Sequence, residues 1–182
     1  MNSSSSMLQR FRASSIKWGV ITGIAAIVYT ILLYVMDAKL MVSGWASLGL
    51  VITIVLLVLG ILEVRKGQEG FISLSEALFA GFFMYIIATL ISSVFQYLLM
   101  TVIDPTLPAL MRDTVLENTV SMMQKFGAAE EDINKAIEGM NQEQFDITPY
   151  RMFINFLWSS AIGLIIAFIL ALILRKKRPV FE

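Results

Sequence analysis

The sequence contains no cysteine and no histidine. The first absence excludes disulfides, thiol nucleophiles and thiolate metal sites. The second removes every imidazole role in proton transfer and metal binding. Charge is scarce too, at 15% of the 182 residues, and it is missing altogether from four long apolar stretches: 18–36, 45–62, 77–103 and 152–174. Proton relays, voltage sensors and coupled pumps normally use a charged group in mid-membrane, and none is present in these stretches. None of the four prolines falls inside them, and no inverted pair of broken helices is visible.

What remains is hydrophobic, 57% by composition with a mean hydropathy of +0.76. A helix needs roughly 20 apolar residues to cross a bilayer. The four stretches have 19, 18, 27 and 23 residues. The second is short, but its Val/Ile/Leu density favours insertion. A soluble bundle would require a polar face of adequate width on each helix, and these have none. The expected fold is therefore all-α: a single four-span domain covering 1–182, with residues 104–151 as a helical insertion outside the membrane. The first span follows a long polar lead-in and no small-x-small cleavage site, so it reads as an uncleaved signal anchor.

The net charge of zero conceals an asymmetry. The N-terminal segment, the turn between the second and third spans and the C-terminal tail hold nine of 14 basic residues and four of 14 acidic ones. The segments on the other side hold five and ten, giving +5 against −5. Lys and Arg collect on the cytoplasmic side, so both termini are expected there. Arg175, Lys176, Lys177 and Arg178 directly follow the last span and suit lipid head groups as well as anchoring.

Small residues let membrane helices approach closely. Gly19 and Gly23 have GxxxG spacing in the first span. In the fourth, Asn155, Ser159, Gly163, Ala167 and Ala171 form a ridge at spacing four. The third span carries a polar stripe, Tyr85, Thr89, Ser92, Ser93 and Gln96. It serves either interhelical hydrogen bonds, for which Asn155 and Ser159 are the expected partners, or a polar groove. Ser73 and Glu76 match a capping box at the third helix's start. The second span is nearly featureless.

Asp104-Pro105 ends the third span. Residues 108–126 then read as an amphipathic helix with Met111, Val115, Met122 and Phe126 along one side, stopped at Gly127. A second helix over about 129–140 places Ile133, Ile137 and Met140 on one face. Together they form a hairpin whose Met-rich apolar surface either packs on the span ends or receives a partner. Glu130, Glu131 and Asp132 suit a helix start, and the ligand spacing of a calcium loop is absent. No metal site and no cofactor are expected.

The order of these features resembles a known family. Gly70-Phe71-Ile72-Ser73, Glu76-Ala77, Gly81, Ile103-Asp104-Pro105, the Met-rich outer helices and the basic tail are similar to those of the four-span family numbered 4199 among domains of unknown function. The similarity runs from about Lys17 to Lys177. It implies a bacterial inner-membrane protein with no assigned enzymatic activity, in a family whose members often sit beside a membrane glycosyltransferase that uses polyprenyl-phosphate carriers. It supplies no catalytic residues.

Two functions are compatible with these residues. One is a non-enzymatic scaffold or accessory subunit with membrane lipids and a protein partner, or a second copy, around it. The other is a small-molecule or lipid transporter or channel using the third span's polar face. An enzyme would have only Glu76, Arg65, Lys66, Asp104 and Asp113 to work with. Nucleic acid is not an expected partner.

Overall fold

The computed structural model describes residues 2–139 and 147–176. Six helices follow in order: α1 (Asn2–Met36), α2 (Ala46–Gly67), α3 (Leu74–Leu98), α4 (Leu107–Lys125), α5 (Glu130–Gly139) and α6 (Pro149–Leu174). A 3₁₀ turn, Ala38–Val42, joins α1 to α2, and α3 runs on through a π-helical turn, Leu99–Ile103. Four helices are long and apolar enough to cross a membrane, and no strand occurs among the described residues.

Local chemistry sets the helix ends. Ser73 Oγ accepts from the Glu76 N–H while the Glu76 carboxylate accepts from the Ser73 N–H at 2.8 Å, which satisfies free donors at the start of α3. Thr148 caps α6 in the same sense, with Pro149 as the first helical residue. The π turn ends at Asp104, whose N–H donates to the Leu99 carbonyl five residues back. Gly127, at φ +73°, turns the chain between α4 and α5. The polar lead-in to the first span is helical from Asn2, continuous with α1.

The hub of the bundle is α3, which packs on α1, α2 and α6. Gly19 and Gly23 face it directly. A Cβ at Gly19 would lie 3.0 Å from the Met84 carbonyl oxygen, and one at Gly23 3.3 Å from Ala88 Cα. The second span proves far from featureless. Leu57 and Ile61 are fully buried, and Gly60 accepts Trp18 and the Met84 sulfur against its backbone. Such fits are visible only across helices, so a single helix's composition does not reveal them.

Two apolar clusters result, one at each end. At the end holding Phe11 and Leu174, Leu57, Ile61 and Val64 of α2 pack with Met84 and Tyr85 of α3 and Leu170 and Ala171 of α6. Polar ties reinforce this tail end. Lys17 and Trp18 both donate to the Glu63 carboxylate, at 2.9 and 2.8 Å. Arg65 reaches the Leu174 carbonyl at the end of α6, at 3.3 Å. Ile72 and Lys176 exchange backbone hydrogen bonds of 3.0 and 2.9 Å, pinning the chain after α6 to the α2–α3 turn.

At the opposite, hairpin end, Leu99, Met100 and Leu107 form the second cluster with Tyr34, Met41 and Met111 around it. Here α4 packs on the 3₁₀ turn, and α5 packs on α4. Its buried face is set by Leu107 and Thr114, with Met111 and Val115 half-buried. The expected stripe on α4 is thus only partly covered: Met122 is 55% exposed and Phe126 85%. The reason is that only the first turns of α4 lie over the bundle. On α5, Ile133 is buried and Ile137 exposed; Met140 lies outside the described residues. Apolar side chains such as Val35, Phe79, Ile165 and Ile173 face outward around the bundle, a surface suited to lipid.

Candidate functional site

Between the two clusters the bundle does not close. A cavity of about 460 Å³ lies there, toward the hairpin end. Its polar wall is the stripe of α3, with Thr89, Ser92, Ser93 and Gln96 in successive turns. Asn155 and Ser159 of α6 and Thr53 of α2 complete that polar lining. The apolar lining comes from Leu50 of α2, Met100 beyond α3, and Met152 and Phe156 of α6. Val42, Pro108, Met111 and Ile147 roof it from the hairpin side.

Tyr85 makes the floor. Its ring lies over Gly163, where a Cβ would overlap the ring carbons, and its hydroxyl is 2.9 Å from Ser159 Oγ. Ring and hydroxyl thus use two residues of the α6 ridge one turn apart. The ridge divides at this point. Below Tyr85, Gly163, Ala167 and Ala171 are buried against the core; above it, Ser159 and Asn155 line the cavity.

Both readings of the polar stripe therefore have a place in the geometry, at different residues. Tyr85 bonds across to Ser159, and Ser92 returns its hydroxyl to the Ala88 carbonyl at 2.8 Å. Thr89, Ser93, Gln96 and Asn155 have no side-chain hydrogen bond to any described residue, yet all four line the cavity. The lining has no Asp, Glu, Lys or Arg among the described residues. Neutral donors and acceptors facing an apolar wall can bind and orient a molecule; they supply no strong acid or base.

Sequence reasoning placed the stripe on one face of α3 and named Asn155 and Ser159 beside it, but it missed the rest of the cavity's walls. Thr53, Tyr97, Met152 and Phe156 join it only because α2, α3 and α6 meet there. Thr53 is one of two hydroxyl residues, with Ser47, in the apolar second span, and it gave a weak signal along the chain.

Asp104 organises the roof's edge. It accepts from the Tyr34 hydroxyl at 3.0 Å and from the Thr106 hydroxyl and N–H at 2.6 and 3.0 Å, tying α1 to the junction of α3 and α4. These donors hold its carboxyl below the ordinary carboxylate value, Thr106 foremost. Glu76 is occupied by the cap. On the tail side, Arg175 and Lys176 are exposed, Lys176 lying 5.5 Å from the Phe71 ring centroid. Lys177 and Arg178 lie outside the described residues.

No curated protein and no solved structure matches the chain. A family model does: the one described as "Protein of unknown function (DUF4199)" matches residues 17–176, from within α1 to the tail pinned beside the α2–α3 turn, and the chain belongs to that family.

Proposed function

We propose that this is a non-enzymatic integral membrane protein that takes up a small molecule or lipid in the cavity between α2, α3 and α6. One observation carries the reading: four polar side chains without protein partners, Thr89, Ser93, Gln96 and Asn155, line one 460 Å³ space. Pockets that hold small ligands have such volumes, mostly apolar walls and a few placed polar groups. Where the stripe is buried it is satisfied within the protein, as Tyr85 is by Ser159; the four unpaired residues are those that border the open space.

The test is filling the space. Mass spectrometry of the purified protein should find a small molecule at near-stoichiometric amount that is lost from Ser93→Trp. An identical set of bound molecules in both proteins would defeat the proposal. The same preparation addresses a second reading, an accessory subunit with a protein partner or a second copy. That reading is favoured by the bare apolar tip of the hairpin, Phe126 and Met122. It requires a polypeptide that leaves when Phe126 and Met122 become serine.

The charge asymmetry supports an orientation with the termini in the cytoplasm and Arg175 and Lys176 at anionic head groups; a bacterial inner membrane is what the family resemblance implies. Because the chain has no cysteine, single thiols report orientation directly. Gly67→Cys should be shielded from an impermeant maleimide in whole cells and Gly44→Cys labelled. The reverse pattern would invert the assignment.

A further inference from the structure

The polar and apolar walls of the cavity together narrow the chemistry of the molecule that fits it. We infer that the ligand is an uncharged amphiphile, with a hydroxyl-rich head and an acyl chain, that enters from the bilayer between α2 and α6. This inference rests on the cavity being a binding site.

The head follows from the polar wall. Gln96 and Asn155 each present a carbonyl acceptor and an NH₂ donor, and Thr89 and Ser93 add hydroxyls that work either way. A head with several hydroxyls meets such groups in both senses. A phosphate or ammonium head would find no side chain of opposite charge among the described lining residues. The chain follows from the facing side, where Leu50, Met100, Met152 and Phe156 offer only apolar contact.

The route follows from how the helices splay. At the tail end α2 and α6 are held together by Leu57, Ile61 and Val64 against Leu170 and Ala171, and by Arg65 on the Leu174 carbonyl. Toward the hairpin, Leu50 and Thr53 of α2 stand on the cavity wall opposite Met152 and Asn155 of α6. Leu50 and Asn155 are both exposed there, as an opening of this seam toward lipid requires. A chain longer than the cavity leaves its end in that seam, so a molecule larger than about 460 Å³ is accommodated.

The experiment is native mass spectrometry of the full chain in detergent with added monoolein, and separately with oleoyl lysophosphatidylglycerol, which shares the acyl chain but carries an anionic head. Wild type should retain monoolein at least tenfold better than the anionic lipid. The Gln96→Leu/Asn155→Leu protein, checked by melting to be folded, should lose that retention by about tenfold, a factor equivalent to 1.4 kcal/mol. Equal or better retention of the anionic lipid, lost in Ser93→Trp, would overturn the uncharged head while leaving the cavity as the site. Monoolein held equally by wild type and both variants would be surface lipid and would overturn the inference. Failure of wild type to retain monoolein at all overturns it too, and the search for an endogenous molecule lost from Ser93→Trp then decides the cavity reading separately.

Discussion

Replacing Gly163 with leucine is expected to cost about 3 kcal/mol, at the upper end of what overpacking a close-packed interior does. The Tyr85 ring occupies the space where the new side chain would begin, on a helix pair that packs along much of its length. Below it the ring belongs to a packed cluster in which Ile61, Ala80 and Met84 are fully buried. It must swing up into the cavity, which breaks the 2.9 Å contact with Ser159 and loses about 1 kcal/mol for that hydrogen bond. Thermal unfolding in mild detergent reads the loss. A double-mutant cycle isolates its cause: Gly163→Ala should be destabilising beside Tyr85 and nearly harmless in a Tyr85→Ala background, with a coupling of at least about 1 kcal/mol. Additive effects would mean that the ring is not seated on this glycine. The same variants bear on function, since a displaced Tyr85 removes the cavity floor.

A larger effect is expected where α1 meets α3. Gly19→Leu combined with Gly23→Leu should prevent recovery of a folded, monodisperse protein. The obstacles are not flexible side-chain tips. They are the Met84 carbonyl oxygen, Ala88 Cα and the branched β-carbons of Ile87 and Ile91, all within 3.3 Å of the added Cβ positions. The hub helix would have to move away from α1 as a body. In a membrane that separation is not resisted by a hydrophobic drive between helices, because lipid chains are as apolar as leucine; close packing is what holds the pair. Two overpacking penalties of about 1–3 kcal/mol each then compare with the whole stability of an ordinary domain, about 5–15 kcal/mol. Size-exclusion chromatography in detergent is the direct measurement. Gly67→Ala, at a glycine with nothing within 4 Å of its Cβ position, serves as the control and should behave as wild type. A sharp wild-type-like peak from the double variant would show that α1 and α3 are not in close backbone contact.

Much of the architecture could be read along the chain because its signals are local. Four uncharged stretches gave four long helices, Ser73 and Glu76 gave a cap, and Asp104-Pro105 gave the end of the third span. Helical spacing also put Tyr85, Thr89, Ser92, Ser93 and Gln96 on one face, because a period of 3.6 residues depends on nothing outside the helix. The hairpin was harder. A stripe from Met111 to Phe126 was legible as spacing, but which part of it would be covered depended on how far α4 reaches over the bundle.

Sequence alone therefore determined that this protein is all-helical, that four of its helices are fit to cross a membrane, and that no charge lies within their apolar stretches. It could not choose between packing and a groove for the polar stripe. That choice is a matter of what stands opposite each residue, and helices brought together by long-range contacts decide it. Tertiary structure gave Tyr85 a partner in Ser159 and a seat on Gly163, while above it α2, α3 and α6 leave Thr89, Ser93, Gln96 and Asn155 around an open space. The physical reason is that a hydrogen bond or a void is a property of two or more helices at once, and periodicity describes only one.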